Sequence, residues 1–340
     1  MPGNRLDERE LTAPVVLTRP DGTLNPDAVG WARSPLVDTS GIARDGIRFA
    51  GRNKRWEYWG ITTPTHVIGM TVSSIDYAAV HEVWVLDRVG ERTWHRSVTA
   101  IPARGVTLPS SAEQGPSRAR AKDLAIDIDE LPEGTRLRAR IPGVEIDVTA
   151  QLPEGHERLA VVVPWSSTRF QYTVKDVARP ASGTLTIDGA EHVLPEGESW
   201  AVLDHGRGRW PYDIRWNWGA GSGRSGDRVI GIQVGAKWTD GTGSTENAFV
   251  VDGRLHKISV ELDWQYDLAD WRRPWRISGG GLDAVFAPAY DKQTRTNLGI
   301  LSSSTDQCFG DWSGTFRTDD GEVIAFEGIF GWAEEVHNRW

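Results

Sequence analysis

Apolar and polar residues alternate in short runs bounded by turn residues along most of the chain, and this period of two constrains the fold more than any other feature. Glu82-Val-Trp-Val-Leu-Asp87, Arg136-Leu-Arg-Ala-Arg140 and Val144-Glu-Ile-Asp-Val148 are examples. Successive side chains on a strand point to opposite faces, so such runs are half-buried strands. The 3.6-residue period of amphipathic helices is scarce. Asp-Gly pairs at 188–189, 240–241, 252–253 and 320–321 and Pro-Glu-Gly triplets starting at Pro132, Pro153 and Pro195 supply the turns, because hairpins need residues that tolerate positive φ. Many closely spaced strands without helices between them define an all-β class of antiparallel barrels or sandwiches.

With 340 residues the chain can build two cores. The pattern breaks at Arg179-Pro-Ala-Ser-Gly183, which divides a first barrel or sandwich (41–180) from a second (181–340), after an irregular N-terminal lead-in (1–40). Met1 to Glu10 reads as an untethered polar tail whose deletion leaves the melting temperature nearly unchanged. Ser110 to Arg120 reads as an exposed loop.

Several function classes are disfavoured. A net charge of −9 opposes nucleic-acid binding, which draws on excess Lys and Arg. The single cysteine, Cys308, forms no internal disulfide, the N-terminus lacks an apolar leader, and no apolar run is long enough for stable membrane insertion. A cytoplasmic setting is expected. The eight His residues fall singly, without His-x-His, HExxH or CxxC spacing, so no metal and no cofactor is predicted. No G-x-S-x-G elbow is present. Gly221-Ser-Gly-Arg-Ser-Gly226 has dinucleotide-binding spacing but leads into the strand pattern Asp227-Arg-Val-Ile-Gly-Ile-Gln-Val-Gly235, which makes it a hairpin loop.

The richest chemistry lies between Trp200 and Gly221. Asp204 and His205 stand there as candidate proton-transfer residues among Trp200, Arg207, Arg209, Trp210, Tyr212, Arg215, Trp216 and Trp218, a mixture suited to an organic ligand's pocket or, equally, to a core with paired charges. The Gly206 and Gly208 positions allow the backbone close to a ligand. Trp216 and Trp218 share a strand face, and with Asp204, His205, Trp210 and Tyr212 they are expected to converge on one cavity. In Trp56-Glu-Tyr-Trp59, Trp56 and Tyr58 share one face while Glu57 and Trp59 share the other. Tyr58, together with Tyr172 and Lys175 from Arg169-Phe-Gln-Tyr-Thr-Val-Lys175, is a further pocket candidate. Glu246 and Asn247 follow a Gly-rich turn, where they serve either ligand orientation or capping, and Glu327 is a strand carboxylate among aromatics.

Phe170-Gln-Tyr-Thr-Val-Lys175, Gly206-Arg-Gly-Arg-Trp-Pro-Tyr212, Trp216-Asn-Trp-Gly219, Lys237-Trp-Thr-Asp-Gly-Thr-Gly243 and Thr245-Glu-Asn247 together resemble the bacterial family called domain of unknown function 2804, over about Glu10 to Trp332. More distantly, Trp200, Asp204, His205, Trp216, Trp218 and, loosely, Glu327 are similar to AttH-like and carotenoid-hydratase (hydroxyneurosporene synthase) proteins. Two departures stand out: three residues separate Trp200 from Asp204, and Gly206-Arg-Gly-Arg-Trp210 replaces the usual acidic-Trp-Gly. The resemblance implies paired calycin-like, lipocalin-like barrels that hydrate a double bond or fold a polyene for cyclisation. Three functions follow as expectations: a cofactor-independent hydro-lyase or isomerase/cyclase acting on an isoprenoid- or polyketide-like small molecule, a non-catalytic lipid carrier, or a carbohydrate-recognising sandwich.

Overall fold

The computed structural model describes residues 5–42, 49, 51–297 and 302–339. They form β-strands, a 3-10 turn at Pro26–Ala28 and no α-helix. The chain divides into two compact units, residues 11–210 and residues 1–10 with 211–340.

In the first unit the strands Arg92–Ala100, Ala79–Asp87, His66–Ser74, Asn53–Thr62, Trp200–Arg209, Arg169–Ile187, Val144–Gln151, Gly134–Ile141, Leu124–Leu131, Ser117–Ala121 and Val106–Thr107 hydrogen-bond in that order. The sheet curls: Met70, Val83 and Val85 from one end share a core with Ala119, Ile126 and Leu137 from the other. Arg169–Ile187 serves both halves. Its first part pairs with Trp200–Arg209 and its second with Val144–Gln151, after a register shift between Asp176 and Arg179 where Ala178 takes a φ of +61°. The Arg179-Pro-Ala-Ser-Gly183 segment is therefore a bend inside a strand, and the units part at Trp210/Pro211 instead of near residue 181. Pairing across the sheet outweighs the local break in pattern.

Residues 11–42 hold the short strands Val15–Val16, Trp31–Ala32 and Val37–Asp38 and are well packed: Leu17, Ala28 and Val37 are buried against Phe170, Tyr172 and Val174. Part of the expected loop 110–120 is the strand Ser117–Ala121, with Ser117 and Ala119 buried.

The second unit orders Arg254–Lys257, Ala248–Val251, Arg228–Ala236, Asp213–Ser225, Val323–Arg339, Ser302–Arg317, Leu282–Asn297, Trp275–Gly279 and Asp263–Gln265, with every neighbouring pair antiparallel. Phe249 near one end and Trp275 near the other share its core. Gly221 and Gly223 of the dinucleotide-like motif lie on the strand Asp213–Ser225, where a Cβ would stand 2.8 Å from Trp312 or 3.3 Å from Ile329; they make room for core side chains. The N-terminal tail is docked on this unit. Leu6 N donates to Ser259 O at 2.8 Å, and the Glu8 carboxylate meets Lys257 Nζ at 2.7 Å and Thr245 N at 2.7 Å. The untethered-tail expectation is thus corrected, because a buried ammonium requires that carboxylate.

Candidate active site

Strand Trp200–Arg209 runs between Asn53–Thr62 and Arg169–Ile187, with Asp204 opposite Tyr58 and Lys175, and His205 opposite Glu57 and Val174. Cross-strand partners share a face, whereas sequence neighbours do not. Asp204, Tyr58 and Lys175 therefore stand on one face and His205 on the other. The expected convergence of Asp204 and His205 on one cavity does not occur.

On the Asp204 face, Oδ1 receives Lys175 Nζ at 3.0 Å and lies 3.2 Å from the Thr173 hydroxyl, which is closer, at 2.9 Å, to the His205 carbonyl. Both contacts of the carboxylate fall on Oδ1. Oδ2 has no protein partner among the described residues, and the Asp204 side chain is 14% exposed. One step along the face, Trp56 lies opposite Gly206 and meets Trp210 edge-on at 5.3 Å; Trp165 meets Trp210 at 5.6 Å. Trp210 Nε1 donates to Gln171 Oε1 at 2.6 Å. A Cβ at Gly206 would stand 2.2 Å from the Trp56 ring, and one at Gly208 equally close to Gln171 Oε1. The two glycines therefore admit Trp56 and Gln171, not a ligand's approach to the backbone. Trp200 shares the Asp204 face and is buried.

The reverse face holds a buried polar node. His205 Nδ1 is 3.4 Å from Glu57 Oε1, Ser117 Oγ donates to Glu57 Oε2 at 2.7 Å, and Arg207 Nη2 lies 3.4 Å from Oε1. Arg207 also caps the Trp56 and Gly206 carbonyls at 2.8 and 2.9 Å. Burial, then the Arg207 charge, lowers the His205 pKa to about 4, and burial lowers Arg207 to about 10. Burial pushes Glu57 upward, but its hydrogen bond and charge contact with His205 and the Arg207 and Ser117 contacts leave it net below its ordinary value. His205 Nε2 is buried without a protein partner among the described residues. Tyr172 packs edge-on to His205 at 6.4 Å, and burial raises its phenol. Arg209 is buried between Phe49 and Phe170 and bonds Asn53 Oδ1 at 3.0 Å and the Gly22 carbonyl, so it holds the N-terminal segment in place.

The remaining candidates belong to the second unit. Trp216 Nε1 donates to Glu334 Oε1 at 3.0 Å, and Trp218 Nε1 donates to Gln233 Oε1 at 2.9 Å while meeting Trp332 edge-on at 5.3 Å. Glu246 accepts from Trp238 Nε1 at 2.6 Å, and Asn247 bridges Gly235 N and Val260 O at 2.6 and 3.1 Å; both are buried ties between strands and loops. Tyr212, Arg215 and Glu327 are exposed. Among the described residues no three His, Cys, Asp or Glu cluster to hold a metal ion, and no helix is long and apolar enough to cross a membrane.

Sequence reasoning passed over Trp56, Trp165, Gln171 and Glu57. The alternation in Trp56-Glu-Tyr-Trp59 already separated Trp56 from Glu57, but their partners Trp210 and Arg207 lie about 150 residues away and carry no local signal.

Curled antiparallel sheets that enclose one core each make this an all-β, lipocalin-like protein. The model of the family described as Domain of unknown function (DUF2804) matches residues 8–340, and the chain belongs to that family. Among solved structures, CghA aligns with a TM-score of 0.55 at 11% identity, covering 98% of this chain and 97% of its own. Kievitone hydratase from Nectria haematococca aligns at 0.51 and 10% identity, covering 100% and 98%. An AttH structure from Nitrosomonas europaea gives 0.49 at 12% identity, covering 84% and 92%. At these identities the likeness is one of fold. No curated protein matches the chain.

Proposed function

We propose that this protein binds an isoprenoid- or polyketide-like small molecule on the aromatic face that carries Asp204 and acts on it by proton transfer, in a hydration, elimination or cyclisation. The observation that carries this reading is the Asp204 carboxylate: Oδ1 is held by Lys175, while Oδ2 has no protein partner among the described residues, beside the Trp56–Trp210–Trp165 cluster. An anchored, partly shielded carboxylate with one accessible oxygen is an acid–base group, and indole faces stabilise positive charge developing on an unsaturated substrate. In a hydration the carboxyl group delivers a proton to one carbon of the double bond, the indole faces stabilise the positive charge that develops on the other, and the group regains a proton from the water as the C–O bond forms, ending as it began. His205 on the reverse face acts at most on the position of the strand. A hydratase among the fold neighbours and a CghA structure containing Sch210972 support small-molecule chemistry on this architecture.

The carrier reading uses the same aromatic face. The sugar platform loses support because no tryptophan among the described residues is exposed, and stacking on a sugar needs an open indole face. Native mass spectrometry of protein from its own host, searching for a retained apolar ligand, is the test. Trp56→Ala should lose that ligand. Asp204→Asn should retain it unconverted, and equal conversion by Asp204→Asn and the parent would reduce the protein to a carrier.

A further inference from the structure

Lys237 stands where few side chains are tolerated. It follows the strand Arg228–Ala236 with a φ of +72°, and Trp238 N donates across it to Ala236 O at 3.0 Å, which closes a γ-turn of the rare, strained kind. Glycine would take this conformation freely. A strained non-glycine residue persists where its side chain is used, and here it enters a tight cluster of the second unit. Nζ lies 2.9 Å from Glu335 Oε1 and 2.8 Å from the Tyr266 hydroxyl. That hydroxyl donates to Glu335 Oε2 and receives Asn217 Nδ2 at 3.1 Å. The Tyr266 ring stacks on Trp275 at 4.3 Å and 14°, with Trp271 stacked beside it at 6.0 Å and 27°.

An ammonium has three N–H donors. Two of Lys237's go to Glu335 and Tyr266; the third has no acceptor among the described residues, and the side chain remains 34% exposed. A one-sided donor beside a stack of half-buried aromatic rings is the composition of a ligand site: apolar surface for area, one polar atom for orientation. Glu335 already offsets the ammonium charge, so an anionic ligand gains little over a neutral acceptor.

We propose that Lys237, with Tyr266 and Trp271, forms a second small-molecule site, selective for a planar conjugated molecule bearing a carbonyl oxygen. The carbonyl accepts the free N–H of Lys237 while the conjugated plane packs on the Tyr266–Trp271 surface. Asn217 and Glu335 fix the hydroxyl and the ammonium in place. The site is built wholly from residues of the second unit and does not depend on the Asp204 chemistry.

The test compares binding of 2-acetylnaphthalene with that of 2-ethylnaphthalene, equal in shape but lacking the acceptor, to the full chain by calorimetric titration. The parent should prefer the ketone at least tenfold. Lys237→Met should abolish the preference while keeping the apolar stem. Lys237→Gly should abolish it too, with the fold intact, because glycine takes the turn without strain. No preference in the parent, or a preference that survives in both variants, overturns the proposal. If both variants unfold, the cluster is a structural tie and the proposal fails.

Discussion

Asp204 and His205 are joined by one peptide bond and face opposite sides of the same sheet, Asp204 against Lys175 at 3.0 Å and His205 against Glu57 at 3.4 Å. The strand thus carries two separate electrostatic systems back to back. One is partly accessible and bears an oxygen without a protein partner among the described residues; the other is buried and charge-balanced by Arg207. The proposed proton transfer uses only the first.

The Asp204–Lys175 pair should show itself in a double-mutant cycle. Asp204→Asn removes the carboxylate that meets the buried Lys175 ammonium, and Lys175→Met removes the ammonium that meets Asp204. Each should cost about 2–4 kcal/mol, less than a fully buried pair because Asp204 retains some solvent contact. The double variant should lose less than the sum, with a coupling of about 1–3 kcal/mol from urea unfolding. Strict additivity would mean the two groups do not stabilise one another.

Stability should fall on acidification through the His205 window. The folded-state pKa is lowered from 6.5 to about 4, so between these values the unfolded chain binds the proton that the folded chain refuses. The contribution is fully present above pH 6.5 and is lost progressively towards pH 4, roughly 3 kcal/mol in all. Glu57, also lowered, acts with the same sign at more acid pH. Melting temperatures of the parent and His205→Gln from pH 4 to 7 test this: the variant's slope should be shallower, and parallel slopes would assign the acid sensitivity elsewhere.

Removing the N-terminal tail should destabilise the second unit. Glu8 and Lys257 are 2% and 4% exposed, and deletion of residues 1–9 removes the carboxylate that bonds the buried Lys257 ammonium beside Thr245. A loss of about 3 kcal/mol corresponds to a drop of about 6–12 °C in calorimetry. Glu8→Ala should reproduce most of it. A melting temperature unchanged by the deletion would show that Lys257 finds another partner or solvent.

Gly206→Ala tests the aromatic face directly. The added methyl would stand 2.2 Å from the Trp56 ring, so Trp56 must leave its edge-on contact with Trp210. Overpacking of this kind costs about 1–3 kcal/mol, and the indole fluorescence should change with it. A neutral substitution with an unchanged spectrum would mean the face repacks freely.

Much of the local structure was legible in the chain. Asp188-Gly189 and Asp252-Gly253 adopt the positive φ values that their hairpins require, 49° and 87°, then 49° and 82°. The runs 82–87, 136–140 and 144–148 are strands, and Trp216 and Trp218 do share a face. The motif at 221–226 is strand and turn, as its downstream alternation implied. The position of the unit boundary, the docking of Glu8 and the separation of Asp204 from His205 were not anticipated. Alternation applied strictly to 204 and 205 would have parted them; a Trp-rich composition argued for convergence and was the weaker guide.

Sequence by itself determined that this chain is all-β, where many of its hairpins turn and which neighbouring residues on a strand share a face, because turn chemistry and the two-residue period act within a few residues. Which distant residues stand beside Asp204, and which beside His205, was settled only by the pairing of strands. Lys175 and Tyr58 stand opposite Asp204 through strand pairings 29 and 146 residues apart, and Lys237 meets Tyr266 and Glu335 across 29 and 98 residues. Register between distant strands follows from burying the whole apolar face of a curled sheet at once, a condition no single segment contains.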